Sequence, residues 1–470
     1  MTRAVVVGSG PNGLAAAIRL AQRGLDVTVL ERADVPGGGT RTSQATVPGL
    51  WHDDCSAVHP LGVLSPFFAS LGLQRLGLRW EWPDIDLAHP LDDGRVGLLS
   101  RDLDRTVESL GVDGRSWRRT FAPLARDFDA TLLDVLRPIQ HVPRHPWALA
   151  RFGAHAAWPA TTYVRRWSDE PARALFTGSA AHAFARLDRP LSASVGVLLT
   201  TAGHRAGWPV ARGGSHSIAT ALVAVLEGLG GRVLTGVEVD DLDRLPVPPP
   251  DLVMLDVTPA AALRLAGDRI APPVRRALRR YRHGPAAFKV DFALDGPVPW
   301  TNLDVGRAGT VHLGGTADEI AHAEEQVVRG RMPERPFVLV SQPFVADPTR
   351  SAGGRLPLWA YAHVPHGWTE DVTETVIAQI ERFAPGFRDR IVGVAARGPE
   401  QLEADNPNYV GGDIGAGANG GLQLLVRPRP ARDPYRLAAR LFLCSAATPP
   451  GAGVHGMCGV NAAESAIRGL

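Results

Sequence analysis

At 470 residues the chain exceeds one ordinary hydrophobic core, so two intertwined domains are expected. An apolar share of 45% describes a folded chain, and a net charge of only +2 gives no sign of a nucleic-acid partner. The cysteines Cys55, Cys444 and Cys458 stand far apart with no CxxC pair, which argues against a disulfide framework, a zinc site and a redox-active disulfide.

The opening stretch, Ala4 to Ala17, is an apolar run that stops at a glycine turn and restarts as an alanine-rich helix. Gly8, Gly10 and Gly13 spell GxGxxG, with Pro11 and Asn12 between them. Their separate tasks are a tight turn, backbone approach to a pyrophosphate, and close helix–strand packing. The helix is expected to run to about Arg23, with Gly24 ending it and Asp26 to Leu30 as the next strand. Glu31 follows 18 positions after Gly13, where a carboxylate accepts from a ribose hydroxyl. The first strand is entered by residue 4, and no apolar run reaches the ~18 residues of a membrane span. A soluble cytoplasmic protein is expected, with peripheral membrane contact left open.

Arg32 to Thr42 extends this unit with Gly37, Gly38 and Gly39, then Thr40 and Arg41. Here the chain resembles the flavoprotein group that includes amine oxidases and phytoene desaturases. Its members follow the acidic residue with a Gly-Gly segment lying along FAD. Gly37 and Gly38 match that pair, and Arg41 stands in for the basic residue usually found where Gly39 lies. The resemblance implies FAD, held by Gly8, Gly10, Pro11, Asn12, Gly13, Glu31, Arg32 and Gly37 to Arg41. It also implies the fold class: α/β, with a Rossmann-like FAD-binding domain, an intertwined α+β substrate domain and a helical cap. Residues 1–75, 205–285 and 405–470 are assigned to the first domain. Residues 76–204 and 286–404 are assigned to the second, the cap covering about 105–204.

Residues 43–75 read as extended chain and loop punctuated by prolines. The resemblance brings this segment near the flavin ring, which makes His52, Cys55 and His59 candidates. Asp53 and His59 lack the i, i+4 spacing of a zinc motif, so no metal is expected. Alternation across 76–104 predicts strands at Leu78 to Trp82 and Gly94 to Leu99. From Ser116 to Leu187 the period turns helical, and Trp147, Trp158 and Trp167 are each read as core. As a whole this segment is a candidate lid over an apolar tunnel, or a surface that touches membrane.

Arg212-Gly213-Gly214-Ser215 opens a helix through Leu229, with Ser215 or Ser217 placed to cap it. Strands are expected at Arg232 to Thr235 and Leu252 to Val257, and the resemblance puts backbone near Val237 or Val239 against adenine. Phe288 to Asp295 alternates as a half-buried strand with Lys289 and Asp291 on one face. In amine-oxidase-like proteins a lysine at the floor of the site often holds a water against the ring, so Lys289 is a candidate. Further strands are expected at Phe337 to Ser341 and Leu358 to His363, then a helix from Thr373 to Phe383. Gly415 to Gly420 spells GxGxxG again but follows no strand, with no helix or βαβ unit after it, and is read as loop.

Leu441 to Ser445 is a strand, Ala446 to Gly456 its turn, and a helix from about Met457 ends the sequence. This strand is expected to return to the first sheet, with its helix N-terminus facing the cleft. The turn resembles the Thr-x-Pro-Gly-x-Gly segment of phytoene desaturases, which implies flavin contacts from Thr448, Gly453, Val454 and His455. Val454-His455 departs from the apolar residue and proline of carotenoid desaturases, which favours the broader branch over a pure carotene substrate. The expected activity is hydride transfer from an apolar, lipid-like or isoprenoid substrate to FAD. His455, His59 and Lys289 are the candidates for proton handling. The alternatives are an amine or alcohol oxidase of the same fold, a non-catalytic flavoprotein binding module, and lastly a nicotinamide dehydrogenase.

Overall fold

A computed structural model describes residues 2–470. The strand Arg3–Val7 is buried on both faces, as its unbroken apolar run requires of a central parallel strand. It pairs in parallel with Asp26–Leu30 on one side and Leu252–Leu255 on the other. Leu441–Leu443 joins Leu252–Leu255 in parallel, Arg232–Leu234 flanks Asp26–Leu30, and Arg436–Ala438 closes the far edge. Three distant parts of the sequence thus build one six-stranded sheet.

The helix Pro11–Ala21 starts with proline at its first position, where no N–H partner is lost. It packs against the last helix, Met457–Ile467, so closely that a Cβ on Gly459 would overlap the Asn12 carbonyl oxygen. Glycine at 459 is therefore a packing requirement that joins head to tail. Across this contact Arg19 pairs with Glu464.

A second sheet has seven strands in the order Ile391–Arg397, Ala286–Leu294, Leu356–Val364, Val338–Ser341, Ala308–Leu313, Ile85–Pro90 and Val96–Leu99. All its pairs are antiparallel except Ala308–Leu313 with Ile85–Pro90. Alternate residues face opposite ways. Val338, Val340, Leu358 and Ala360 meet the helix Thr373–Glu381, whereas Leu339, Trp359 and Tyr361 meet a helical layer on the other side.

That layer comprises chiefly Gly114–Arg126, Phe128–Val135, Pro146–Ala156, Glu170–Ala181 and Ala193–Ala206. Trp117, Phe121, Trp167 and Phe176 form its core. Trp147 and Trp158 do not belong there: they are 85% and 49% exposed. Strands Ile85–Pro90, Ala308–Leu313 and Ile391–Arg397 were not expected, and the helix Leu422–Val426 follows the glycine segment read as ending in loop. Among the described residues no helix is long and apolar enough to cross a membrane.

Candidate functional site

A single cleft of about 460 Å³ begins at the glycine turn and ends among the aromatics of the second sheet. Gly8, Gly10, Pro11 and Asn12 line its start, beside Glu31, Arg32, Val237 and Val239. Gly38 to Arg41 and Cys55 to Gly62 form its flank, and Gly453 and Val454 approach from the last turn. Residues 8–12 and 452–454 thus lie on one cleft.

The turn is built from backbone that glycine alone serves. Gly8 has a φ of 98°, outside the range comfortable for a side chain. A Cβ on Gly10 would stand 2.8 Å from an Asp256 carboxylate oxygen, and one on Gly38 would stand 3.1 Å from Gly10 Cα. Glu31 accepts from the Ser9 N–H at 2.8 Å, the Ser9 hydroxyl at 2.6 Å and the Ala33 N–H at 2.9 Å, which fixes its carboxylate at the cleft wall. Arg41 donates to the Gly38 and Asp405 carbonyls, and Arg32 to the Ala404 carbonyl.

Other sequence candidates sit elsewhere. Gly13 is buried, its N–H donating to Asp256 at 2.9 Å. Gly37 lies behind the wall with its N–H on the Ser9 carbonyl, and the buried Thr448 hydroxyl donates to Ser445. None of the three lines the cleft.

The three proton-handling candidates separate. His59 lines the cleft and its Nε2 lies 2.8 Å from Ser215 Oγ. Ser215 Oγ donates to the Ser56 carbonyl at 2.5 Å, so it accepts from His59, and the imidazole proton sits on Nε2. His59 Nδ1 is then the basic nitrogen, 3.5 Å from Ser56 Oγ. Ser215, expected to cap its helix, is at the cap position with its hydroxyl spent here instead.

His455 is not on the cleft. Its Nδ1 accepts from the Met457 N–H at 3.0 Å and its ring bonds to backbone of Ala452, so it ties the turn to the start of the last helix. Lys289 is not on the cleft either, nor is it a surface residue. It is buried in an ion pair with Asp291, with Arg397 3.4 Å and His52 3.4 Å from the same carboxyl group. Burial alone would push Asp291 up, but Lys289 and His52 outweigh it and hold it at about 2. Spacing told which face Lys289 occupies but not what covers it.

Sequence reading missed several cleft residues. Asp256, directly after the strand Leu252–Leu255, fills the glycine turn, and burial with the nearby Glu31 charge pushes it up to about 7. Asn406 to Tyr409, Asn419 and the aromatic end also went unread. Asp53, quoted only as loop, is buried against Arg350 at 3.1 Å and accepts from the Ser215 N–H at 2.7 Å. Among the described residues no group of three or more His, Cys, Asp or Glu is arranged to hold a metal.

Burial holds six histidines neutral: His59, His89, His204 and His455 at about 4, His182 at about 3, and His312 well below the ordinary range. An unfolded histidine titrates near 6.5, so between there and about 4 the unfolded chain binds more protons. Stability from these groups is present above that window and is lost as pH falls through it. Asp86, raised to about 6, and Asp256 work the opposite way. Six histidines against two raised acids leave a net proton uptake on unfolding, so stability falls as pH drops through this window. Urea midpoints measured across this range should fall sharply with acidity; a flat profile would contradict the buried neutral state.

The first part of the chain, residues 6–70, matches an NAD(P)-binding Rossmann-like domain. The chain is 25% identical to pyridine nucleotide-disulfide oxidoreductase domain-containing protein 2 of Rattus norvegicus, covering 99% of this chain and 93% of that protein. It is 25% identical to the neurosporene-forming phytoene desaturase of Cereibacter sphaeroides, covering 97% and 92% respectively. A solved putrescine oxidase has the same fold, with a TM-score of 0.61 at 16% identity over 99% of this chain and 98% of that one. A nucleotide-binding turn, a head-to-tail cleft and relatives matched end to end agree: over nearly its whole length the chain resembles the phytoene desaturase-like flavoprotein oxidoreductases in sequence and putrescine oxidase in fold.

Proposed function

We propose that the protein is an FAD-dependent dehydrogenase or desaturase acting on an apolar substrate, the first sheet's half holding the nucleotide and the second sheet with its helical layer the substrate. The observation that carries this reading is the single cleft joining a glycine turn to an aromatic chamber. The groove suits a dinucleotide, because glycine at 10 and 38 lets the turn, its flank and Asp256 pack closely and leaves backbone to meet the phosphates. Bound FAD would be held by Glu31 at a ribose hydroxyl, by the N-terminus of Pro11–Ala21 and Arg41 at the phosphates, and by Val237 and Val239 at the adenine, all of which line or border the cleft. Backbone of Gly453 and Val454 borders the ring. Bound FAD supplies the acceptor for a substrate hydride.

The remaining chemistry belongs to the chain. Phe184, Leu199, Trp208, Leu339 and Tyr361 keep water from the substrate and orient it. His59 Nδ1, on the cleft with its other nitrogen locked by Ser215, is placed to take a proton. The acids that line the cleft, Glu31, Glu238, Asp256 and Asp405, accompany its nucleotide-binding residues. The aromatic end lacks a carboxylate to pair with an ammonium, which favours this reading over an amine oxidase. An apolar substrate also gives a use to Val142 and Trp147, 89% and 85% exposed beside Arg144, as a peripheral lipid contact; co-sedimentation with vesicles, lost in Trp147→Glu, tests it.

The purified protein should be yellow, with flavin absorption bands, and an apolar substrate should bleach them without air. A colourless protein that takes up no FAD overturns the proposal. Peroxide release with a polar amine would instead favour the oxidase alternative.

A further inference from the structure

Three adjacent strands of the second sheet carry an unmatched row of polar side chains beneath the aromatic end of the cleft. Thr310 stands opposite Ser341 in one antiparallel pair, and Ser341 opposite Trp359 in the next. Residues paired in this way share a face, their Cβ atoms about 4.5–5.5 Å apart. All three are buried, and Thr310 Oγ1, Ser341 Oγ and Trp359 Nε1 have no hydrogen-bond partner. Thr310 and Trp359 line the cleft itself. Asp291, opposite Trp359 on the other side, is already engaged by Lys289, Arg397 and His52.

We infer that the substrate is not a plain hydrocarbon but carries an oxygen, as a hydroxyl or carbonyl, which binds at the Thr310–Ser341–Trp359 row. This rests on the reading of the cleft as a flavin oxidoreductase site and narrows its substrate class. Buried polar groups are normally paired, so three orphans in register mark a place where something else supplies the partner. The indole N–H only donates, so that partner must accept. An ammonium has no lone pair to offer, while a hydroxyl or carbonyl oxygen does. The hydroxyls of Thr310 and Ser341 donate or accept as the oxygen requires. Around them Phe184, Leu339 and Ile414 offer apolar surface to the rest of the molecule.

The test is calorimetric titration of the protein as purified with decane, decanol, a decanone and decylamine. Decanol and the decanone should bind at least about tenfold more tightly than decane, and decylamine should gain nothing over it. Thr310→Val and Trp359→Phe should each erode the preference by about fivefold, since each removes one hydrogen bond. Equal binding of decane and decanol by the native protein overturns the inference, and needs no variant to be informative. A preference untouched by both substitutions also overturns it and leaves ordered water only as the partner of these groups. Colour separates the two levels of argument. A colourless protein that still prefers decanol sinks the flavin reading alone, and a yellow one without preference sinks only the oxygen subsite.

Discussion

Lys289→Met is expected to unfold the protein at much lower denaturant and to leave its nucleotide cleft intact. The ammonium is fully enclosed beside Asp291, and neither lines the cleft. Methionine has nearly the same length, so the cost is electrostatic and not a cavity. It strands a carboxylate in the interior, with Arg397 at 3.4 Å as the remaining cation. Breaking one partner of such a pair costs about 3–5 kcal/mol, a large fraction of an ordinary folding free energy. Lys289→Met with Asp291→Leu should recover most of the loss, because an apolar pair of similar volume is often neutral or better. Acid weakens the native pair in the same direction. Asp291 is held low in the folded state, so its contribution is present above the unfolded value of about 3.9 and is lost as pH falls toward 2. Urea unfolding of the three proteins, with FAD affinity measured alongside, decides the matter. If Lys289 worked at the ring, the single variant would keep its stability and lose turnover, and the double variant would rescue nothing.

The divergence at Lys289 shows which kinds of structure are legible in a sequence. The glycine turn, first helix and Glu31 are local in pattern: the 28 residues from Ala4 to Glu31 carry the whole strand–turn–helix–strand signature, so it could be read without knowing what packs on it. The last strand could be placed in the same sheet because a strand–turn–helix too short for its own domain must borrow one. His455 was misplaced by a finer effect. The turn was located, but its imidazole folds back onto the Met457 N–H, while Ala446, Ala447, Ala452, Gly453 and Val454 face the cleft. Asp256 joins the turn across 243 positions, and Asp53 meets Arg350 across 297. No periodicity carries such pairings. The polar row needs still more, since Thr310, Ser341 and Trp359 become neighbours only through the registers of two strand pairs. The strands Ile85–Pro90 and Ala308–Leu313 escaped notice for a related reason. Both are buried along their whole length, Asp86, His89, Thr310 and His312 included, so their polar residues do not mark a solvent face.

Gly10→Val should yield a folded protein with little or no bound flavin. Gly10 precedes the first helix with φ −62° and ψ 168°, a conformation valine adopts freely, so the backbone has no reason to break. What changes is the space. The new Cβ would stand 2.8 Å from the Asp256 carboxylate, and Gly38 packs on the other side of Gly10, so the turn or the carboxylate must shift to admit the valine. Overpacking of this kind costs about 1–3 kcal/mol, and a shifted turn no longer presents its backbone to the pyrophosphate. Affinity for FAD should drop by about tenfold to a hundredfold. Gly24→Ala is the matched control: its φ of 81° strains an alanine, but nothing lies within 4 Å of the added methyl. That variant should lose about 1 kcal/mol of stability and stay yellow. Circular dichroism establishes that both fold, and titration of the stripped proteins with FAD supplies the affinities. Native affinity in Gly10→Val would mean that the phosphates lie somewhere other than the turn between the first strand and the first helix. The head-to-tail cleft would then need another occupant.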